Sequence, residues 1–247
     1  EFVTKTRISI RAPHSSGKSA AAALLVIWFI CTRDGDPRGD WKAPTTASSW
    51  RELSKFLWPE IHKWVRRLNW PAMPWRVPFD GRTELFTLSI KGKTGEAFAA
   101  ASDTPWAIEG AHAKWLLYVF DEAKQIPATL FDAAEGAFMQ AGSDTTAEAY
   151  AICISTPGEP AGRFYDIQKR RPGYEDWWVR HIKLEEVIAA GLISRERVEQ
   201  RRKQWGEMSP VYQNRVLGEF ASQDETSVIP LSWIEAANDR WQVWMES

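Results

Sequence analysis

A chain of 247 residues is long enough for one large α/β domain, or a domain with a small appendage, around a sizeable core. Its formal net charge of −1 provides no overall basic field, so any contact with nucleic acid has to come from locally clustered basic side chains. Cys31 and Cys153 stand in apolar runs, and His14, His62, His112 and His181 are scattered, a pattern that suits neither a disulfide framework nor a zinc site and fits a reducing cytosol. The apolar run from Ala20 to Ile30 is too short to cross a bilayer and no basic leader precedes it, so a soluble, cytosolic chain is expected. Most of the fifteen tryptophans are expected in core or lid packing.

The first informative stretch is Arg7 to Arg33, RISIRAPHSSGKSAAAALLVIWFICTR: a short β-rich run, a small and polar turn, then a long apolar helix. Within it Ala12, Pro13, His14, Ser15, Ser16, Gly17, Lys18 and Ser19 fit the phosphate-binding loop pattern, with Ala12 where a glycine is usual. Backbone N–H groups from Ser15 to Ser19 and the positive end of the helix would cradle the β- and γ-phosphates of a nucleotide. Lys18 would add a point charge, and the Ser19 hydroxyl would ligate Mg²⁺. A polar helix start is the competing reading; the strand before and the buried helix after favour the phosphate loop.

Asp34 to Trp41 is a turn rich in Gly, Pro and Asp. KAPTTASSWRELSKFLWPEIHKWVRRL then reads as a strand end, a Ser/Thr-rich cap at Thr45 to Ser49, and an amphipathic helix from about Trp50 to Leu68. Leu53, Leu57, Ile61, Trp64 and Leu68 recur at helical spacing and are expected in the core. Lys55, Lys63, Arg66 and Arg67 fall largely on the other side, a solvated face or a DNA contact. Asn69 to Thr83 reads as an irregular connector, Glu84 to Ile90 as a strand, and Lys91 to Gly95 as a β-turn into a further strand.

The second informative stretch is WLLYVFDEA, Trp115 to Ala123. Five apolar residues, Leu116 to Phe120, predict a strand buried on both faces, as in the middle of a parallel sheet. It ends in Asp121 and Glu122, where ligands of open α/β sheets bind. Asp121 would orient the Mg²⁺ shell and Glu122 would polarise the water that attacks the γ-phosphorus. A helix N-cap with an acidic first turn is the alternative. The helix expected over Ile126 to Gln140 opens with Pro127. Ala149 onward gives another buried strand ending in Ser155 and Thr156, whose hydroxyls can sense the γ-phosphate, or which mark a plain strand exit.

From about Gln168 the chain becomes polar: a basic turn, a strand at Trp177 to Leu184, then three helical pieces. These resemble a lid more than further sheet. Arg201, Arg202 and Lys203 form a basic run on one of those helices, a solvated face or a subunit or DNA contact. A polar connector follows Phe220, and a helical piece closes the segment.

Taken in order, RAPHSSGKS, KAPTTASSWRELSKFLWPEIHKW, FDEAKQIPATLFDAAEGAF, STPGEPAGRFYDI and RVLGEF resemble the ATPase portion of phage terminase large subunits, the motors that package viral DNA. The resemblance runs over roughly Ile8 to Phe220. It implies an α/β P-loop fold, RecA-like with an additional strand, in three αβα layers around a mostly parallel sheet, with a small C-terminal lid. The domains it implies are an ATPase core at 1–168, a lid at 169–220, and a linker at 221–247 toward a nuclease domain. It also implies that Lys18 and Ser19 hold phosphate and Mg²⁺, that Asp121 orients the metal, that Glu122 is the base, and that Ser155–Thr156 couple hydrolysis to motion. Only 27 residues follow Phe220, so no nuclease activity is expected from this segment. The run WAIEGAHAKW, with Glu109 and His112, lacks the arginine that some members send into a neighbouring subunit; Arg82, Arg163 and Arg11 are the candidates. The adenine-contacting residues expected before the first strand do not fall within Glu1 to Thr6.

The expected function is an ATP-hydrolysing motor that moves double-stranded DNA into a procapsid through sequence-independent phosphate contacts. The resemblance implies a homo-oligomeric ring, a small terminase subunit and a portal as partners, no membrane, and the host cell cytoplasm. A helicase-like or other P-loop ATPase acting on nucleic acid is the alternative, and a nucleotide-dependent assembly switch is a third reading.

Overall fold

The computed structural model describes residues 4–69, 72, 85–101, 108, 111–141, 147–221 and 231–245. The connector expected at Asn69–Thr83, the candidate Arg82, Glu109, and residues 222–230 of the expected linker lie almost wholly or entirely outside them. By contacts the chain divides into two compact units. One comprises Glu1–Ile10, Gly17–Ser155 and Gly162–Arg180; the other comprises Arg11–Ser16, Thr156–Ala161 and His181–Ser247.

The first unit is built on a sheet of eight strands in the order β3-β4-β5-β2-β6-β7-β1-β8. The strands are β1 (Arg7–Arg11), β2 (Trp41–Ala47), β3 (Leu85–Phe86), β4 (Ser89–Lys91), β5 (Gly95–Ala101), β6 (Trp115–Asp121), β7 (Glu148–Ser155) and β8 (Trp178–His181). β2 runs parallel to both β5 and β6, and β6 runs parallel to β7, while β3 and β4 add an antiparallel edge. Every residue of β6 is buried, as its unbroken apolar run predicts for a strand covered on both faces.

Alternation along β6 divides the core between two faces. Leu117 and Val119 join a cluster made by the helix α1 (Lys18–Arg33), through Ala22, Val26, Phe29 and Ile30, and by the helix α2 (50–67). Tyr118 and Phe120 point the other way, where Phe120 stacks on Phe131 at 4.3 Å between ring centres and Tyr118 meets Phe138. Both partners belong to α3 (Ala128–Ala141), which with α4 (Gly162–Gln168) forms the third layer.

Three expectations are corrected here. The residues read as a cap at Thr45 to Ser49 belong to β2 as far as Ala47, with Thr45 and Thr46 buried, and only Ser49 caps α2, accepting from Glu52 N–H. Pro44 hid the extent of this strand, because a proline lacks the N–H that a central strand must donate. The β2–β6 ladder skips Ala43 and Pro44 and resumes at Thr45 opposite Val119. Secondly, the single strand expected over Glu84 to Ile90 is a hairpin, reversing at 87–88 so that β3 and β4 pair antiparallel. Ala99 N–H then donates to Leu88 O. Thirdly, a π turn at Leu53–Leu57 interrupts α2, and the buried set becomes Leu53, Leu57, Trp58, Ile61 and Val65, with Trp64 and Leu68 half-buried. Lys55, Lys63, Arg66 and Arg67 are exposed, as expected. Cys153 is buried, whereas Cys31 is only partly so.

The second unit holds short helices: α5 (Leu184–Ala189), α6 (Arg195–Trp205), α7 (210–217, its last turn a π turn at Gln213–Leu217) and α8 (Leu231–Met245). Ser194 and Ser209 cap α6 and α7 by accepting backbone N–H groups three residues on. Among the described residues, no helix is long and apolar enough to cross a membrane.

Candidate nucleotide site

The strand β1 leads into a loop in which Ala12 and Pro13 are buried and His14, Ser15 and Gly17 are exposed. Ser15 and Gly17 both adopt positive φ, 60° and 81°. Alternating backbone signs of this kind turn successive N–H groups into one concavity. Gly17 is required by its backbone, since a side chain there would meet no atom within 4 Å but would occupy a left-handed conformation. Ala12 has no positive φ, so a methyl group is admissible where a glycine is usual. Ser16 Oγ donates to Pro13 O at 2.8 Å, which closes the turn, and His14 N–H donates to Arg215 O at 2.9 Å. Gly218, at φ 69°, lies so close that a Cβ there would stand 2.8 Å from Pro13 N.

Beyond the loop, α1 begins at Lys18, and Ala21 N–H donates to Gly17 O. The Lys18 ammonium is buried, and its pKa is lowered to about 8 by loss of water, opposed by the charges of Glu122 and Asp121. Asp121, at the carboxyl end of β6, is 5% exposed. Burial first, and the Glu122 charge second, push its carboxyl up to about 7, although Glu122 N–H donates to its Oδ1 at 3.1 Å. Glu122 itself sits at φ 48°, ψ 46°, a left-handed conformation that costs a side-chain-bearing residue about 1–3 kcal/mol. That turn ends the strand and separates the two carboxylates. Ser155 Oγ, buried at the end of the neighbouring β7, donates to Glu122 Oε2 at 3.3 Å.

The structure thus brings Lys18, Asp121, Glu122 and Ser155 together. Ser19 follows Lys18 on the first turn of α1 and is half-buried. Thr156 is fully buried and belongs by contacts to the second unit, as do residues 12–16 of the loop. Two charged residues of this neighbourhood carry no motif. Lys124 Nζ stands 3.9 Å from Glu122 Oε2, and its N–H donates to Ser155 Oγ. Glu52, on the first turn of α2, adds to the upward push on Asp121. Its carboxylate accepts from Ser48 Oγ. Thr46 also lies at this end of β2, its buried hydroxyl without a hydrogen-bond partner among the described residues.

Lys18 and Asp121 have opposite charges, yet each is shifted toward its neutral form, so desolvation outweighs their mutual attraction. A phosphate would compensate the lysine, and a divalent cation the carboxylate. The donor set fits such a group, because Mg²⁺ is held by one or two protein oxygens together with phosphates and waters. Among the described residues, no group of three or more His, Cys, Asp and Glu could hold a metal. Of the candidate arginines, Arg163 pairs with Asp132 at 2.6 Å, and Arg11 pairs with Glu219 at 3.1 Å and meets His181 Nδ1 at 3.2 Å.

No family model matches the chain. The chain is 26% identical over 243 residues to the protein described as "Probable terminase, large subunit" of Enterobacteria phage P7, a match covering 94% of this chain and 46% of that protein. The chain thus spans less than half the length of this curated relative. The large terminase ATPase domain of Thermus phage P74-26 superimposes with a TM-score of 0.61 at 19% identity, covering 88% of this chain and 89% of that one. The large terminase of a thermophilic bacteriophage, solved in complex with ATP-γ-S, superimposes with a TM-score of 0.62 at 15% identity, covering 89% and 49%. By sequence and by fold, the chain is similar to phage terminase large subunits over their ATPase portion, and its α/β architecture is the P-loop, RecA-like one of those ATPase domains.

Proposed function

We propose that the chain is the ATP-hydrolysing motor portion of a terminase large subunit and that it drives double-stranded DNA into a procapsid. The observation that carries this reading is the pairing of a buried, under-compensated Lys18 and Asp121 with a Glu122 held by Ser155. Backbone N–H groups of residues 15–19 and the Lys18 ammonium would bind the β- and γ-phosphates of ATP. Ser19 and Asp121 would hold Mg²⁺, which when bound neutralises charge on those phosphates. Glu122 would orient a water against the γ-phosphorus and accept its proton as the bond to the β-phosphate oxygen breaks, leaving ADP and phosphate.

Ser155 joins Glu122 to the end of β7, directly before Thr156 and the segment 156–161. Loss of the γ-phosphate would change the Glu122–Ser155 hydrogen bond and pass to that segment. In this reading residues 1–168 are the core, 169–220 the lid and 221–247 a linker. The exposed Lys55, Lys63, Arg66 and Arg67 would meet DNA phosphates. A ring of subunits, a small terminase subunit, a portal and the host cytoplasm complete the proposal.

Steady-state ATP hydrolysis by the wild type and Glu122→Gln, over a range of protein concentrations and with or without duplex DNA, tests it. Turnover should require Glu122 and rise more than linearly with protein. Linear turnover that survives the substitution would overturn both the base and the motor assignment.

A further inference from the structure

Within the first compact unit a second lysine stands at the proposed catalytic carboxylate. Lys124 lies in a 3₁₀ turn at Ala123–Gln125, entered through the left-handed Glu122 and closed by Gln125 N–H donating to Glu122 O at 3.1 Å. The turn brings its ammonium to 3.9 Å from Glu122 Oε2. The same oxygen accepts from Ser155 Oγ at 3.3 Å, and Ser155 Oγ in turn accepts from the Lys124 N–H at 3.4 Å. One residue thus acts on Oε2 twice. Its N–H occupies the serine oxygen as an acceptor, so that the serine proton turns to Glu122, and its ammonium faces the carboxylate directly.

Among the described residues, the other carboxylate oxygen, Oε1, accepts no hydrogen bond. A carboxylate with one oxygen held and the other open presents a fixed set of lone pairs to a water. An ion pair whose side chains are 24% and 31% exposed adds little to stability, so its consequence is orientation. At 3.9 Å it is longer than a hydrogen bond, as catalytic contacts often are before substrate arrives. Burial is the main cause that lowers the Lys18 pKa, and the Lys124 charge adds to it, so both ammoniums lie within one field.

We propose that Lys124 is a positioning residue for ATP hydrolysis, which with Ser155 pins Glu122 by Oε2 and leaves Oε1 to take the proton of the attacking water. The oxygen of that water bonds to the γ-phosphorus, the bond to the β-phosphate oxygen breaks, and the proton ends on Oε1. The proposal rests on the reading of Glu122 as the base and deepens it, because it names what fixes the carboxylate.

Steady-state ATP hydrolysis by the whole chain, with calorimetric affinity for a non-hydrolysable ATP analogue, tests the assignment. Lys124→Ala should lower kcat about tenfold and leave KM and analogue affinity within about twofold, because the ammonium acts on the base and not on the phosphates. Lys124→Gln carries the same expectation should the alanine variant fold poorly. Lys124→Arg should recover most of the lost rate, since it returns the positive charge. The backbone N–H survives each substitution, so the ammonium alone is tested. Wild-type kcat in Lys124→Ala, a loss of analogue affinity in place of kcat, or a rate lowered equally in the arginine variant would each overturn the proposal. A lowered urea midpoint that accompanies the loss of rate in all three variants would make Lys124 a structural residue and overturn it as well. Glu122→Gln separates the proposal from the reading beneath it. If Glu122→Gln abolishes turnover while Lys124→Ala leaves it unchanged, the base stands and the positioning role fails. If Glu122→Gln retains turnover, the base reading fails and this proposal with it.

Discussion

Asp121→Asn should stabilise the nucleotide-free protein, because it removes a buried charge from the proposed catalytic site while keeping the shape of the side chain. The Asp121 carboxyl is raised from an ordinary 3.8 to about 7, mainly by burial. A group whose folded pKa lies above its unfolded one holds its proton more tightly in the folded state. Stability therefore falls as pH rises from about 4 through 7, and the whole penalty is present above 7. A rise of that size corresponds to about 4 kcal/mol. Asparagine does not titrate, and its Oδ1 can still accept from Glu122 N–H, as Asp121 does at 3.1 Å. That rise is already net of the attraction to Lys18, so the expected gain at pH 8 is about 4 kcal/mol at most. Urea midpoints of wild type and Asp121→Asn at pH 5, 6.5 and 8, without nucleotide or Mg²⁺, measure this. The variant's advantage should grow with pH; an advantage independent of pH, or a less stable variant at pH 8, would refute the argument.

Three further outcomes follow from the same geometry. Lys18→Met should abolish ATP binding and stabilise the nucleotide-free protein by about 2–3 kcal/mol at pH 7. Because the Lys18 pKa is lowered from 10.5 to about 8, its penalty is complete below 8 and disappears as pH rises toward 10.5, so the gain in urea midpoint should vanish over that interval. Ser155→Ala removes the hydroxyl that donates to Glu122, and should lower kcat about tenfold with ATP affinity unchanged, a split that single-turnover and binding measurements can read. Phe120→Ala opens a hole against Phe131 on the layer away from α1 and should cost about 3–5 kcal/mol by urea unfolding; a loss below 1 kcal/mol would contradict the stacking.

Both nucleotide motifs were legible in the sequence because each is local. A glycine, a lysine and a serine after a strand define a loop, and an unbroken apolar run before two acids defines a buried strand end. The residues that escaped notice became neighbours only through strand order. Pro44 and the Ser/Thr-rich run cut β2 back to a strand end, and with Thr45 to Ser49 read as a helix cap nothing in the sequence connected the segment 46–52 to the acidic pair. Once β2 is placed parallel to β6, with Thr46 opposite Phe120, its carboxyl end lies beside that of β6. Thr46 and Glu52 then belong to the surroundings of Asp121, and Glu52 indeed acts on its charge. Lys124 escaped for a different reason. It follows Glu122 by two residues, a spacing that in a strand or helix gives no fixed relation to the acid. The left-handed turn at Glu122 folds the chain back, so that the Lys124 ammonium faces the Glu122 carboxylate and its N–H reaches Ser155. The strained turn thus has a chemical consequence: it turns Glu122 toward Ser155 and Lys124 while both carboxylates stay within the charge field of Lys18, and in the proposed mechanism this leaves Asp121 to orient the metal and Glu122 to accept the proton.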